Sequence, residues 1–138
     1  MALRLPYSMR MTTILVADDE VPIVELVRFT LEDDRTQVVG AFDGVTALEL
    51  ACSTRPDLVL LDVHMPHMSG LEVCRRVRQL PACSHTRVVM LSAAGQAIDR
   101  ARGLAAGADE YLTKPFSPLA LLALVRALVP EVPTWPAR

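Results

Sequence analysis

Acidic side chains collect at a few points of this 138-residue chain. Asp18, Asp19 and Glu20 stand together behind Ile14-Leu15-Val16-Ala17, and Asp62 closes the run Leu58 to Leu61. Ser92 follows Leu91, and Lys114 follows Leu112-Thr113. A carboxylate, a hydroxyl and an amine of this kind are the parts needed to attack, bind and neutralise a phosphoryl group. Three carboxylates a few ångströms apart cannot all stay ionised unaided, because each raises the pKa of the others. A divalent cation resolves that conflict, and oxygen ligands with no clustered histidine or cysteine favour Mg²⁺ over zinc. Such an ion would screen an incoming phosphoryl group and leave Asp62 able to attack phosphorus as a nucleophile. Lys114 supplies the remaining positive charge. It is the one lysine among fourteen basic residues, which suggests a need for a compact point charge, although some residue must be the last lysine in any chain.

The elements that position these groups follow from hydrophobic spacing. Five apolar runs, Thr13 to Ala17, Gln37 to Ala41, Leu58 to Leu61, Arg87 to Leu91 and Asp109 to Thr113, show little alternation, as strands buried on both faces do. Helical spacing fills the gaps. Val21 to Glu32 carries Val24, Val27, Phe29 and Leu31 on an apolar side. Asp43 caps a second helix running to about Ser53, and Ser69-Gly70 precedes a third, Leu71 to Gln79. A fourth runs from about Gln96 to Ala106 and stops at Gly107; Ser117-Pro118 opens a fifth that reaches about Val129. Alternating strands and helices predict a doubly wound α/β domain whose ligands bind at the carboxyl ends of the strands. In a parallel sheet ordered 2-1-3-4-5, strands 1 and 3 are neighbours, so Asp18, Asp19 and Asp62 converge. One domain is expected over 13–129, with a flexible segment over 1–12 and a proline-rich tail or linker over 130–138.

Composition narrows the function classes. Apolar residues make up 51% and charged residues 22%, ordinary for a globular domain. A net charge of −2 with 4% aromatic residues argues against direct binding of nucleic acid. Three cysteines, Cys52, Cys74 and Cys83, form no paired pattern and suggest reduced thiols in a cytoplasmic protein, with Cys74 as a small core residue. No apolar run predicts a secretory leader or a membrane span.

Five motifs in order carry a resemblance: Ile14-Leu15-Val16-Ala17-Asp18-Asp19-Glu20, Asp57 to Pro66, Ser69-Gly70, Leu91-Ser92-Ala93, and Gly107 to Phe116. From about Thr13 to Val129 the chain resembles the receiver domain of bacterial response regulators. The resemblance implies a flavodoxin-like (βα)5 three-layer sandwich and assigns Asp62 as phosphoacceptor. It places Mg²⁺ among Asp18, Asp19, Asp62 and the backbone carbonyl of His64, and makes Ser92 and Lys114 the phosphate-binding pair, with Ser92 and Tyr111 as switch residues. It also implies a cis peptide before Pro115. Its partners are a sensor histidine kinase or a histidine phosphotransfer protein, which donates to Asp62. The added charge then shifts a two-state population on the face formed by the fourth helix, fifth strand and fifth helix.

Several residues depart from the common pattern. His64 stands two places after the acceptor, where it reads either as a solvated loop histidine or as a modulator of acyl-phosphate hydrolysis; His67 reads as surface. Ala94 gives no side chain that could position a hydrolytic water. Arg126 is the only charged residue from Leu119 to Val129. That apolar surplus leaves Leu119 and Leu124 exposed as a docking face for a partner or a second copy. With no effector domain after residue 138, output is expected through protein contacts unless the chain is part of a longer regulator. Two competing readings use the same parts: a haloacid dehalogenase-like Mg²⁺-dependent phosphatase, and a degenerate receiver that only binds partners. In the first, the nucleophile precedes the paired acids; here the paired acids come first. The intact Asp18, Asp19, Asp62, Ser92 and Lys114 set speaks against the second.

Overall fold

A computed structural model describes residues 11–93 and 97–129. The strands are β1 (Thr12–Ala17), β2 (Thr36–Ala41), β3 (Leu58–Asp62), β4 (Arg87–Ala93) and β5 (Glu110–Lys114). They alternate with α1 (Val21–Leu31), α2 (Gly44–Thr54), α3 (Gly70–Arg78), α4 (Ala97–Ala105) and α5 (Pro118–Leu128), and a 3₁₀ turn spans Pro81–Cys83. All pairings are parallel, in the order β2-β1-β3-β4-β5, so the doubly wound expectation holds. β1 begins one residue earlier than the spacing indicated: Thr12 is buried and pairs with Thr36.

Burial on both faces explains the unbroken apolar runs. Ile14, Val16, Leu58, Leu60, Val89 and Leu91 pack with Val24, Val27 and Val125 of α1 and α5. Their strand neighbours Leu15, Ala17, Val59, Leu61, Val88 and Met90 pack on the other side with Ala47, Val73 and Val77 of α2 and α3. Burying aliphatic side chains on both faces contributes about 1.5–3 kcal/mol each before chain entropy is set against it. Cys74 and Cys83 are buried in this second layer and Cys52 is exposed. Burial pushes the Cys74 thiol up to about 11, the behaviour of a core residue and not of a nucleophile.

Caps fix where the helices begin. Asp43 accepts from the Thr46 amide at 2.8 Å, Ser69 from Glu72 at 3.2 Å, and Ser117 from Ala120 at 3.0 Å, each satisfying an amide with no partner inside the helix. Gly107 has φ of +107° after α4, a conformation that costs glycine little. The peptide between Lys114 and Pro115 is cis. Phe29 corrects the sequence reading: it is 90% exposed, because it lies two residues beyond buried Val27 and so points away from the stripe of Val24, Val27 and Leu31. Residues 1–10, 94–96 and 130–138 lie outside the described part. The expectations for the N-terminal segment, Ala94, the start of the fourth helix at Gln96 and the proline-rich tail fall there.

Candidate functional site

Register alone brings two acids together. Ala17 pairs with Leu61 across β1 and β3, so Asp18 and Asp62 come next on adjacent strands and leave the sheet at the same edge. Asp62 is the last residue of β3, paired with Leu91, and Ala93 is paired with Lys114 on the far side of β4. Ser92 is one step beyond Leu91 along β4. The carboxyl edge therefore presents Asp18, Asp62, Ser92 and Lys114 in one row.

The first helical turn of α3 passes directly over this edge. A Cβ on Gly70 would stand 2.0 Å from the Asp62 carbonyl oxygen, a separation no real side chain tolerates. The Gly70 amide instead donates to the Val63 carbonyl at 2.9 Å. The close approach ties the loop after β3 to the start of α3 and so fixes the backbone that aims Asp62.

Lys114 is the cation at the centre. Its Nζ lies 2.7 Å from Asp18 Oδ2, 3.3 Å from Glu20 Oε1 and 3.4 Å from Asp62 Oδ1. Asp18 is fully buried and Asp62 is 7% exposed. Burial, and then the neighbouring Asp18 charge, push the Asp62 carboxyl up from 3.8 to about 6. Burial also raises Asp18, against the pull of Lys114. For Lys114 burial acts downward, but its bonds and charges toward Asp18 and Asp62 leave it above its ordinary value. The pocket thus holds more negative charge than one ammonium neutralises.

The donors fit a hard divalent cation. Asp18 Oδ1 accepts the Glu20 amide at 2.8 Å, and Asp18 Oδ2 is buried against the Lys114 ammonium at 2.7 Å. One carboxylate oxygen from each of Asp18, Asp19 and Glu20 lies within 4.8 Å of the others. Glu20, which the sequence reading did not name as a ligand, joins this trio, and the Lys114 ammonium lies 2.7 Å from Asp18 and 3.4 Å from Asp62. A cluster of carboxylate oxygens, one residue buried and two exposed, suits Mg²⁺ or Ca²⁺ better than a softer metal.

One participant went unnoticed in the sequence. Asp99, in the first turn of α4, is 2% exposed. Its Oδ2 accepts the Ser92 hydroxyl at 3.0 Å, and His64 Nε2 lies 3.1 Å from the same oxygen. The His64 side chain is 75% exposed, and it leans on α4. Its neighbour His67 is a surface residue with φ of +71°.

On the flank, Tyr111 is half-buried against the core, with the Arg100 guanidinium carbon 5.9 Å from its ring centre, in range for a cation–π contact. Leu119 is 77% exposed, and Ile98 and Leu104 of α4 are exposed as well. Leu124 corrects the expectation of a two-leucine patch. It is half-buried and packs against the core of Leu121 and Val125, three residues after one and one before the other on the inward edge of α5. Among the described residues, no helix is long and apolar enough to cross a membrane.

Comparisons with known proteins converge on one family. The sequence profile of the response regulator receiver domain matches residues 14–126. The alkaline phosphatase synthesis transcriptional regulatory protein PhoP of Bacillus subtilis (strain 168) is 43% identical over 116 residues, which cover 84% of this chain and 48% of PhoP. The chain therefore spans about half the length of that relative. Among solved structures, a putative response regulator from Chloroflexus aurantiacus J-10-fl superposes with a TM-score of 0.80 at 33% identity, covering 86% of this chain and 98% of that one. The chemotaxis response regulator CheY4 of Vibrio cholerae gives 0.80 at 34%, covering 86% and 99%.

Proposed function

Because the chain belongs to the response regulator receiver domain family, we propose that Asp62 accepts a phosphoryl group from a histidine of a sensor kinase or of a histidine phosphotransfer protein. A receiver domain is a signalling domain and not a classical enzyme. One observation carries the assignment: Asp62 is a buried strand-end carboxylate flanked by Asp18 and by the chain's one lysine. In the transfer an Asp62 oxygen forms the new bond to phosphorus while the P–N bond to the donor imidazole breaks, and the electron pair leaves with that ring. Lys114 balances charge on the phosphoryl oxygens, and the Ser92 hydroxyl donates to one of them. Tyr111 follows Ser92 as a switch residue. Mg²⁺ held by Asp18, Asp19, Asp62 and the His64 carbonyl would neutralise the acids and the arriving phosphoryl oxygens. Glu20, within reach of Asp18 and Asp19, is placed to hold water in that shell.

The direct test is mass spectrometry after treatment with acetyl phosphate and Mg²⁺. A gain of one phosphate per chain, mapped to Asp62 and reached without sustained release of inorganic phosphate, is the expected result. Continuous turnover of the donor would favour the phosphatase reading, and phosphate mapped to another residue would sink the assignment. Mg²⁺ itself is expected to bind the unphosphorylated protein weakly, since a partly hydrated ion held by few carboxylates is loosely bound. Calorimetric or NMR titration should show that binding in the wild type and lose it in Asp19→Ala with Asp62→Ala; equal affinity in both would place the ion elsewhere.

For output we propose the face of α4, β5 and α5, supported by the exposure of Leu119 on α5 and of Ile98 and Leu104 on α4. The domain is taken to extend over 13–129 in a cytoplasmic protein, a reading supported by the three free cysteines and. Sedimentation velocity with and without beryllofluoride, a mimic of the phosphoryl group, tests the face. Association should appear or strengthen with the mimic and be lost in Leu119→Glu, at little cost in folding because the leucine is a surface residue. Association unchanged by that substitution would remove Leu119 from the interface.

A further inference from the structure

The Ser92 hydroxyl has one proton to give. In this structure it is given to Asp99 Oδ2 at 3.0 Å, whereas the phosphoacceptor reading requires it for a phosphoryl oxygen on Asp62. We propose that Asp99 is a positioning residue of the phosphorylation reaction, holding Ser92 off the acceptor site and releasing it only when a phosphorylated Asp62 competes for the same proton.

Three observations carry this. Asp99 is 2% exposed, so its carboxylate has almost no water to turn to and depends on protein donors. Its partners are Ser92 from β4 and, at 3.1 Å, the largely exposed ring of His64 from the loop that follows Asp62. Asp99 also sits in the first turn of α4, so a change in its bonding acts on a helix of the proposed output face. His64 is the weaker tie, since a contact at the surface contributes little. The buried bond from Ser92 sets the threshold. When Ser92 leaves, Asp99 keeps only His64, and the lowest-energy place for α4 changes. The three groups thus link acceptor loop, switch hydroxyl and output helix through one carboxylate.

The inference rests on the phosphoacceptor reading, and the test separates the two. Binding of beryllofluoride in saturating Mg²⁺ is followed by NMR for the full chain, for Asp99→Asn and Asp99→Ala, and for each of these combined with Ser92→Ala. Losing a hydrogen-bond competitor that carries charge should lower the half-saturating beryllofluoride concentration about fivefold to tenfold in Asp99→Ala. Asp99→Asn, which keeps the shape but accepts more weakly, should shift it about twofold to fivefold in the same direction. In the Ser92→Ala background neither substitution should shift it further, since no hydroxyl remains to be held back. A carboxylate that only stabilised α4 would give the same change with or without Ser92. An unchanged or weakened affinity in both single variants, or a gain that persists in full without Ser92, overturns the inference. Failure of the wild type to bind, or equal binding by Asp62→Asn, overturns the phosphoacceptor reading and this inference with it.

Discussion

Asp62→Asn takes up no phosphate from acetyl phosphate and, at pH 7.5 without divalent metal, melts several degrees above the wild type. The first half follows from chemistry: the amide oxygen carries no charge to attack phosphorus and cannot form the acyl phosphate. The second follows from the crowding of like charges. Burial and Asp18 push the Asp62 carboxyl up from 3.8 to about 6, so ionising it costs the folded state more than the unfolded chain. A raised folded pKa of an acid means that the native state holds the extra proton between those two values. Stability is therefore fully retained below pH 4, falls as pH rises through the window from about 4 to 6, and stays reduced above it. A shift of that size corresponds to about 3 kcal/mol at neutral pH. That shift is already net of the pull of Lys114, and burying the amide in place of a neutral carboxyl reduces the gain to about 1–2 kcal/mol. For a domain of this length that is about 4 °C or more in Tm.

Two controls fix the cause. The gap between variant and wild type should close near pH 4, where both carry a neutral group at position 62. It should also close at pH 7.5 when Mg²⁺ is added, because the wild type gains more from an ion that its carboxylate helps to hold. Thermal melts across pH and Mg²⁺ concentration check both. A variant less stable than the wild type at pH 7.5 in chelator would show that Asp62 is a net stabiliser and that Lys114 outweighs Asp18.

The sheet and the acidic edge were legible because each leaves a local trace. Parallel strands covered on both faces must be apolar at every position, so Leu58 to Leu61 reads as a strand by itself. Functional groups in such a sheet gather at strand ends, where Asp18, Asp62, Ser92 and Lys114 already stand. Helix faces were read less well, because an apolar residue was counted without its phase. Phe29 is two positions from Val27 and so lies on the wet side, 90% exposed; Leu124, three residues from buried Leu121, lies on the dry side. The same phase argument would have found Asp99. It precedes buried Gly103 by four residues and buried Ala106 by seven, so it occupies the core stripe of α4. A carboxylate there needs a donor. Which donor it finds depends on β4 and on the loop after β3, distant in sequence, and no local pattern encodes that.

Removing the ammonium should have the largest effect on folding. Lys114→Ala leaves Asp18, with no exposed surface, and Asp62 facing each other without a cation. Breaking a buried ion pair from one side typically costs about 3–5 kcal/mol, because the surviving charge has neither water nor partner. Lys114 is held above its ordinary value of 10.5, so its stabilising contribution is fully present below pH 10 and is lost only as pH rises past its folded value. The loss on substitution should therefore be complete at pH 7.5. It should shrink toward pH 4, since Asp18 and Asp62 both hold their protons to higher pH than ordinary carboxylates and become neutral without the lysine. Asp18→Asn in the same chain should recover most of the stability at pH 7.5, because it removes the stranded charge while keeping the acceptor for the Glu20 amide. Lys114→Arg should recover less, as a guanidinium fork is bulkier than the ammonium that Asp18, Glu20 and Asp62 surround and. Urea unfolding of the four proteins at pH 4 and pH 7.5 measures each of these. A Lys114→Ala deficit that stays the same at pH 4, or that Asp18→Asn does not relieve, would mean that the lysine stabilises the fold through the packing of its aliphatic stem and not through its charge.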